Sequence, residues 1–143
     1  MSKTATLEAN GFDWLKPSVQ MLGRWQPWHD GHQELFKRIH AITGQVVIMV
    51  RRVPIDTEAN SRVPGQDDNP FNVEEVMENI VKGLEKDSFT LGKEYVIMVV
   101  PNIVDISYGR GVGYTFTEHD LGKDIHDISA TNIRKSLREE GKL

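Results

Sequence analysis

Two histidines three positions apart, His29 and His32, are separated by Asp30 and Gly31 and preceded by Gly23-Arg24-Trp25-Gln26-Pro27-Trp28. Imidazoles at that spacing, joined through a flexible glycine, can each donate a hydrogen bond to neighbouring oxygens of one phosphate chain. Arg24 adds a fixed positive charge, and Lys37 follows at a helical spacing further along. Near the other end of the chain, Ser129 and Thr131 offer hydroxyls and amides, and Arg134 stands one turn beyond them. Together these residues could bind a polyphosphate. Metal binding is the rival reading of the histidine pair. Two residues supply only two ligands where a catalytic zinc normally takes three from the protein, so no metal site is expected.

The flanking pattern says what must position these groups. Val19 to Leu22 is a short apolar run ending at Gly23, and Leu35, Phe36, Ile39 and Ile42 then recur at spacings of three and four. That is a strand, a tight loop and an amphipathic helix from about Asp30 to Ile42. Gly44 closes the helix, and Gln45 to Val50 is a β-branched run of the kind found in buried parallel strands. Asn72 opens a second helix with Val73, Val76, Met77, Ile80, Val81 and Leu84 on one face and Glu74 and Glu75 in its first turn. Acids there suit the helix dipole. Tyr95 to Val100 is a third strand, stopped by Pro101.

Arg51 to Phe71 has no period and reads as a long loop. Tyr114-Thr115-Phe116-Thr117 is a candidate fourth strand, and Ser107 to Gly113 reads as loop. Ser129 or Thr131 caps a last helix carrying Ile133 and Leu137 and ending near Glu140. Strands alternating with helices imply an α/β fold: a single Rossmann-like, doubly wound parallel sheet with helices on both faces. Ligands in such sheets collect at the carboxyl ends of the strands. The segment Gly23 to His32 lies at such an end, where a helix N-terminus favours anions. Residues 1–18 are expected to form an N-terminal arm and 19–143 the domain.

Gly23-Arg24-Trp25-Gln26-Pro27-Trp28-His29-Asp30-Gly31-His32 resembles the G-R-F-Q-P-x-H-x-G-H signature of the HxGH nucleotidylyltransferases, a cytidylyltransferase-like superfamily, and especially the small nicotinamide-mononucleotide adenylyltransferases. Ile128-Ser129-Ala130-Thr131-Asn132-Ile133-Arg134 looks like the family's I-S-[ST]-T-x-[IV]-R element, with Ala130 in place of the commoner hydroxyl residue. Asn69-Pro70-Phe71-Asn72 is similar to an N-P-F-[ST] step of the nicotinamide-type enzymes, which also tend to keep an arginine in the preceding loop. Arg51, Arg52 and Arg62 are candidates, with Arg52 favoured because it leaves the end of the second strand.

The resemblance implies attack by a substrate phosphate on the α-phosphorus of a nucleoside triphosphate, with pyrophosphate leaving. His29, His32 and Arg134 would be catalytic. Gly23, Arg24, Trp25, Gln26, Gly31, Ser129, Thr131 and Arg134 would bind the nucleotide, and Arg52 and Lys37 would meet the acceptor or a phosphate. Mg²⁺ would arrive with ATP or CTP. The first reading is transfer of AMP from ATP to nicotinamide mononucleotide. The alternatives are cytidylyl transfer to a phosphorylated alcohol, and a nucleotide-binding regulatory domain without turnover. Nicotinamide-type relatives generally continue into further helices, so either a minimal pocket serves here or a second copy in a homo-oligomer completes it.

Histidines near a helix start are commonly surface groups, Ser129 and Thr131 are commonly plain caps, and Arg134 is commonly a solvated charge. Trp25 and Trp28 either wall the loop or stack on a base. Gly109-Arg110-Gly111-Val112-Gly113 lacks the strand-then-helix setting of a dinucleotide fingerprint and reads as loop, near the acceptor at best. His40, His119 and His126 have no motif, and Glu85-Lys86-Asp87 and Arg138-Glu139-Glu140 read as solvated helix ends.

With 143 residues, the chain is long enough for one domain and too short for two ordinary ones. A net charge of -4 disfavours a broad nucleic-acid surface, which needs clustered Lys and Arg. There is no cysteine, so disulfides and thiolate metal sites are excluded. No apolar run approaches the roughly 20 residues of a membrane span, and the first residues lack a signal-peptide core, so a soluble cytoplasmic protein is expected.

Overall fold

The computed structural model describes residues 11–54, 69–111, 113–119 and 130–141. Its elements in chain order are β1 (Val19–Gly23), α1 (Asp30–Thr43), β2 (Val46–Arg51), α2 (Val73–Glu85), β3 (Tyr95–Val100) and α3 (Ala130–Glu139). The strands form one parallel sheet in the order β1-β2-β3. Val19 pairs with Val46, and Val46 with Tyr95, so the three strands start level. This is a small α/β Rossmann-like fold.

One face of the sheet carries the core. Met21, Ile48 and Ile97 are register partners and point to that face, with Val46, Val50 and Tyr95 beside them. Phe36 and Ile39 of α1 and Val76, Ile80 and Leu84 of α2 cover it. All of these side chains are at most 3% exposed, so both helices are held by burial of one apolar stripe. The Phe36 ring meets Tyr95 edge-on, which brings α1 across to the third strand.

The helix ends follow their local chemistry. α2 opens with a capping box, in which the Asn72 side chain accepts from the Glu75 amide and the Glu75 side chain accepts from the Asn72 amide. α1 closes on Gly44 at φ 80°, where its amide returns to the His40 carbonyl.

Residues 11–18 lie against the amino ends of the strands. Phe12 is buried and its amide donates to the Gly92 carbonyl, while Gln45 donates to the carbonyl of Asp13 and the hydroxyl of Ser18. Gln45 is itself 2% exposed. A buried carboxamide is tolerable only because these partners satisfy it.

The candidate fourth strand is not formed. Residues 114–117 are irregular, and Tyr114 and Phe116 are 66% and 61% exposed. Phe116 stacks on Tyr108 instead of joining the sheet. Alternating aromatics favour a strand only where a partner strand takes their backbone groups, and none of the described residues does so here. The reading of 107–113 as loop agrees with the irregular backbone of its described residues. Of the expected long loop, 55–68 lies outside the described residues.

Candidate functional site

The loop from Gly23 to His29 carries the chain from the carboxyl end of β1 to the amino end of α1. His29 is the N-cap of α1. Its Nδ1 accepts from the amides of Gly31 at 3.0 Å and His32 at 3.4 Å. His32, in the first turn, returns the favour, because its Nδ1 accepts from the His29 amide at 3.2 Å. An imidazole plays the part usually taken by Ser, Thr, Asp or Asn at a cap.

These bonds fix the tautomer of both rings. A ring nitrogen that accepts carries no proton, so each neutral imidazole holds its hydrogen on Nε2. The rings stack at 3.6 Å with 17° between planes. Two Nε2–H donors are thereby placed side by side at a helix N-terminus.

Both rings are held neutral. Burial lowers His29, with Asp30 opposing, and burial with the neighbouring His29 takes His32 down to about 3. His32 is packed against Trp25 and Trp28, whose rings lie 4.7 Å and 5.4 Å from its own. Both indoles are nearly inaccessible, so of the two readings left open for them, walling the loop is the one their placement permits. Neither presents a face to a base.

The remaining loop residues are tied to other elements. Arg24 Nη1 donates to Asn69 Oδ1 at 2.8 Å, and Asn69 in turn donates to the Pro54 carbonyl. Gln26 grips the backbone of Phe71 twice, donating to its carbonyl and accepting from its amide, each at 2.9 Å. Trp28 Nε1 donates to Gln33 Oε1, and Gln33 continues to the Gly83 carbonyl and Asp87. The Gln26–Pro27 peptide is cis. Arg134 of α3 is 3% exposed and donates to the Gln26 carbonyl at 2.6 Å.

Most of the sequence candidates therefore converge. His29, His32, Gly23, Arg24, Trp25, Gln26, Gly31 and Arg134 belong to one loop and the helices that meet it. Arg52 is exposed and lines a shallow pocket with Arg24, Arg51, Gln26 and Phe71 at the carboxyl end of β2. Lys37 is not brought to the site. Its ammonium pairs with Asp87 at 3.2 Å, beyond the end of α2. Asp87, read as part of a solvated helix end, is a shared acceptor for Gln33 and Lys37.

Ser129, Arg62 and His126 lie outside the described residues, as does the side chain of Thr131. Gln33 acquires a positioning role that no spacing announced, and Asn69, singled out in the sequence only within the Asn69-Pro70-Phe71-Asn72 likeness, acquires one toward Arg24. Among the described residues no group of three or more His, Asp or Glu side chains could hold a metal ion, and no helix is long and apolar enough to cross a membrane.

No family model matches the chain. A comparison with curated proteins finds similarity to a nicotinamide-nucleotide adenylyltransferase of Methanococcus aeolicus, 26% identical over 122 residues. The match covers 80% of this chain and 64% of that protein, so the chain spans less than two thirds of its relative. This distant homology supports kinship with the nucleotidylyltransferases.

Proposed function

We propose that the chain catalyses nucleotidyl transfer, moving AMP from ATP to a small phosphorylated acceptor, with nicotinamide mononucleotide the first acceptor to test. An oxygen of the acceptor phosphate attacks the α-phosphorus, the bond from that phosphorus to the bridging oxygen breaks, and pyrophosphate leaves. The observation that carries this reading is the histidine pair. Its two Nε2–H donors are fixed by the backbone bonds at Nδ1 and need no reorganisation to meet charge building on the triphosphate.

The other residues take supporting roles. His29 and His32 brace the triphosphate, helped by the N-terminus of α1. Arg134, which donates to the loop carbonyl of Gln26, supplies the charge that stabilises the departing pyrophosphate. Arg24 and Arg52 supply positive charge on the acceptor side, beside Phe71 and the start of α2. Mg²⁺ enters as part of the nucleotide substrate, coordinated by phosphate oxygens and water. Protein covalent chemistry is not required, because alignment and charge stabilisation suffice for this class of displacement.

The test is pyrophosphate release on incubation with ATP or CTP and a panel of phosphomonoester acceptors. Release with ATP and nicotinamide mononucleotide is expected. Release with CTP alone would replace adenylyl by cytidylyl transfer. No release with any pair would leave the reading as an enzyme without support and favour a nucleotide-binding domain.

A further inference from the structure

Trp25 adopts φ 56°, in the left-handed region that a bulky side chain rarely enters. Three contacts hold it there. Its Nε1–H donates to the Met49 carbonyl of β2 at 3.1 Å. Its ring lies over Gly23, where a Cβ would come within 2.8 Å of the indole. Its plane stands at 85° to the imidazole of His32, 4.7 Å away. A backbone conformation this unfavourable for a bulky residue persists only where the surroundings enforce it. Trp25 is itself a member of the buried apolar cluster, and within that cluster its ring stands against His32.

We propose that Trp25 is the positioning residue for His32. The indole is bolted to β2 and closes one side of the imidazole, so the ring keeps Nδ1 on the His29 amide and presents Nε2–H in one direction. This rests on the proposed role of His32 as a phosphate donor. Trp28 and His29 close the other sides at 5.4 Å and 3.6 Å. Removal of Trp25 would free the ring to rotate and to exchange its tautomer. The triphosphate would still find the helix N-terminus and His29, so binding should suffer less than turnover.

The test compares Trp25→Phe and Trp25→Ala with the native protein. Trp25→Ala should lower kcat by about 10²-fold, the usual cost of a misplaced catalytic group, with KM for ATP within about threefold. Trp25→Phe retains a ring and loses only the bond to Met49, so a drop of about tenfold or less is expected. Nitrogen-15 NMR of the His32 ring reads the same effect without turnover. The native ring should show a single Nε2–H tautomer, Trp25→Phe a partial shift and Trp25→Ala a mixture. Native ring signals in Trp25→Phe, or native kcat and signals in Trp25→Ala, would overturn the proposal. If Trp25→Ala fails to fold, the ring signals of Trp25→Phe decide it. Should the native protein show no transferase activity, the NMR comparison still judges Trp25 while the functional reading falls separately.

Discussion

At the scale of single residues, the protonation of His32 is the feature most open to measurement. The imidazole takes a proton near 6.5 in an unfolded chain and only at about 3 in the folded one. Between those values the unfolded state binds the extra proton, so stability falls as pH drops through the window, by up to about 1.4 kcal/mol per unit. Above 6.5 the residue contributes no pH dependence. Urea titrations at pH 7 and pH 4.5 should therefore show a smaller loss of stability in His32→Asn than in the native protein. An equal loss in both would mean that His32 is protonated in the native state. The same neutrality predicts that activity shows no acid limb near 6.5 from this residue. Replacement by alanine should cost turnover well over threefold, which is only about 0.65 kcal/mol of barrier. That His29 and His32 work as a pair at the start of α1 was legible in their spacing. Their tautomers and neutrality were not, because these depend on Trp25 and Trp28 closing over His32 and on amides supplied by the folded turn.

At the scale of elements, the contact between the start of α1 and the end of α2 yields a prediction that opposes helix propensity. Glycine inside a helix is less favourable than alanine by about 1 kcal/mol, so Gly83→Ala would stabilise an isolated α2. In the folded protein the new Cβ would lie 2.8 Å from Trp28 Cδ1 and 3.3 Å from Gln33 Oε1. Trp28 cannot give way easily, since it is buried and its Nε1–H is held by Gln33 at 2.8 Å. Overpacking of this kind costs about 1–3 kcal/mol, which exceeds the propensity gain. A thermal melt of Gly83→Ala should show a net loss, and a gain would mean that the indole is free to shift. The elements themselves were largely readable. The period of three and four gave α1 and α2 and the β-branched runs gave β2 and β3, because burial against one sheet writes itself locally into the chain. Tyr114 to Thr117 misled, since a strand pattern without a neighbouring edge has nothing to bond. Lys37 misled for a related reason: its place on the helix surface aims it at Asp87.

Across the whole molecule, the site loop acts as a hub for elements far apart in the chain. It reaches Met49 through Trp25, Asn69 through Arg24, Phe71 through Gln26, and Arg134 through the Gln26 carbonyl, a separation of 108 residues. Such side-chain bonds leave no periodic trace, so they could not be read from the sequence even where the participating motif could. They do imply that a ligand on the loop stabilises the fold as a whole. A ligand present at about a hundredfold its Kd adds about 2.7 kcal/mol, or roughly 8 °C in Tm for a chain of this size. Mg-ATP should raise the melting temperature by that order, and inorganic triphosphate should recover part of the rise if the histidine pair reads phosphates. Arg134→Gln removes the charge and shortens the side chain, so, measured against the variant's own Tm, the increment from ATP should shrink. An unchanged increment in Arg134→Gln would confine Arg134 to bracing the loop. No increment from any triphosphate in the native protein would remove nucleotide binding from this loop altogether.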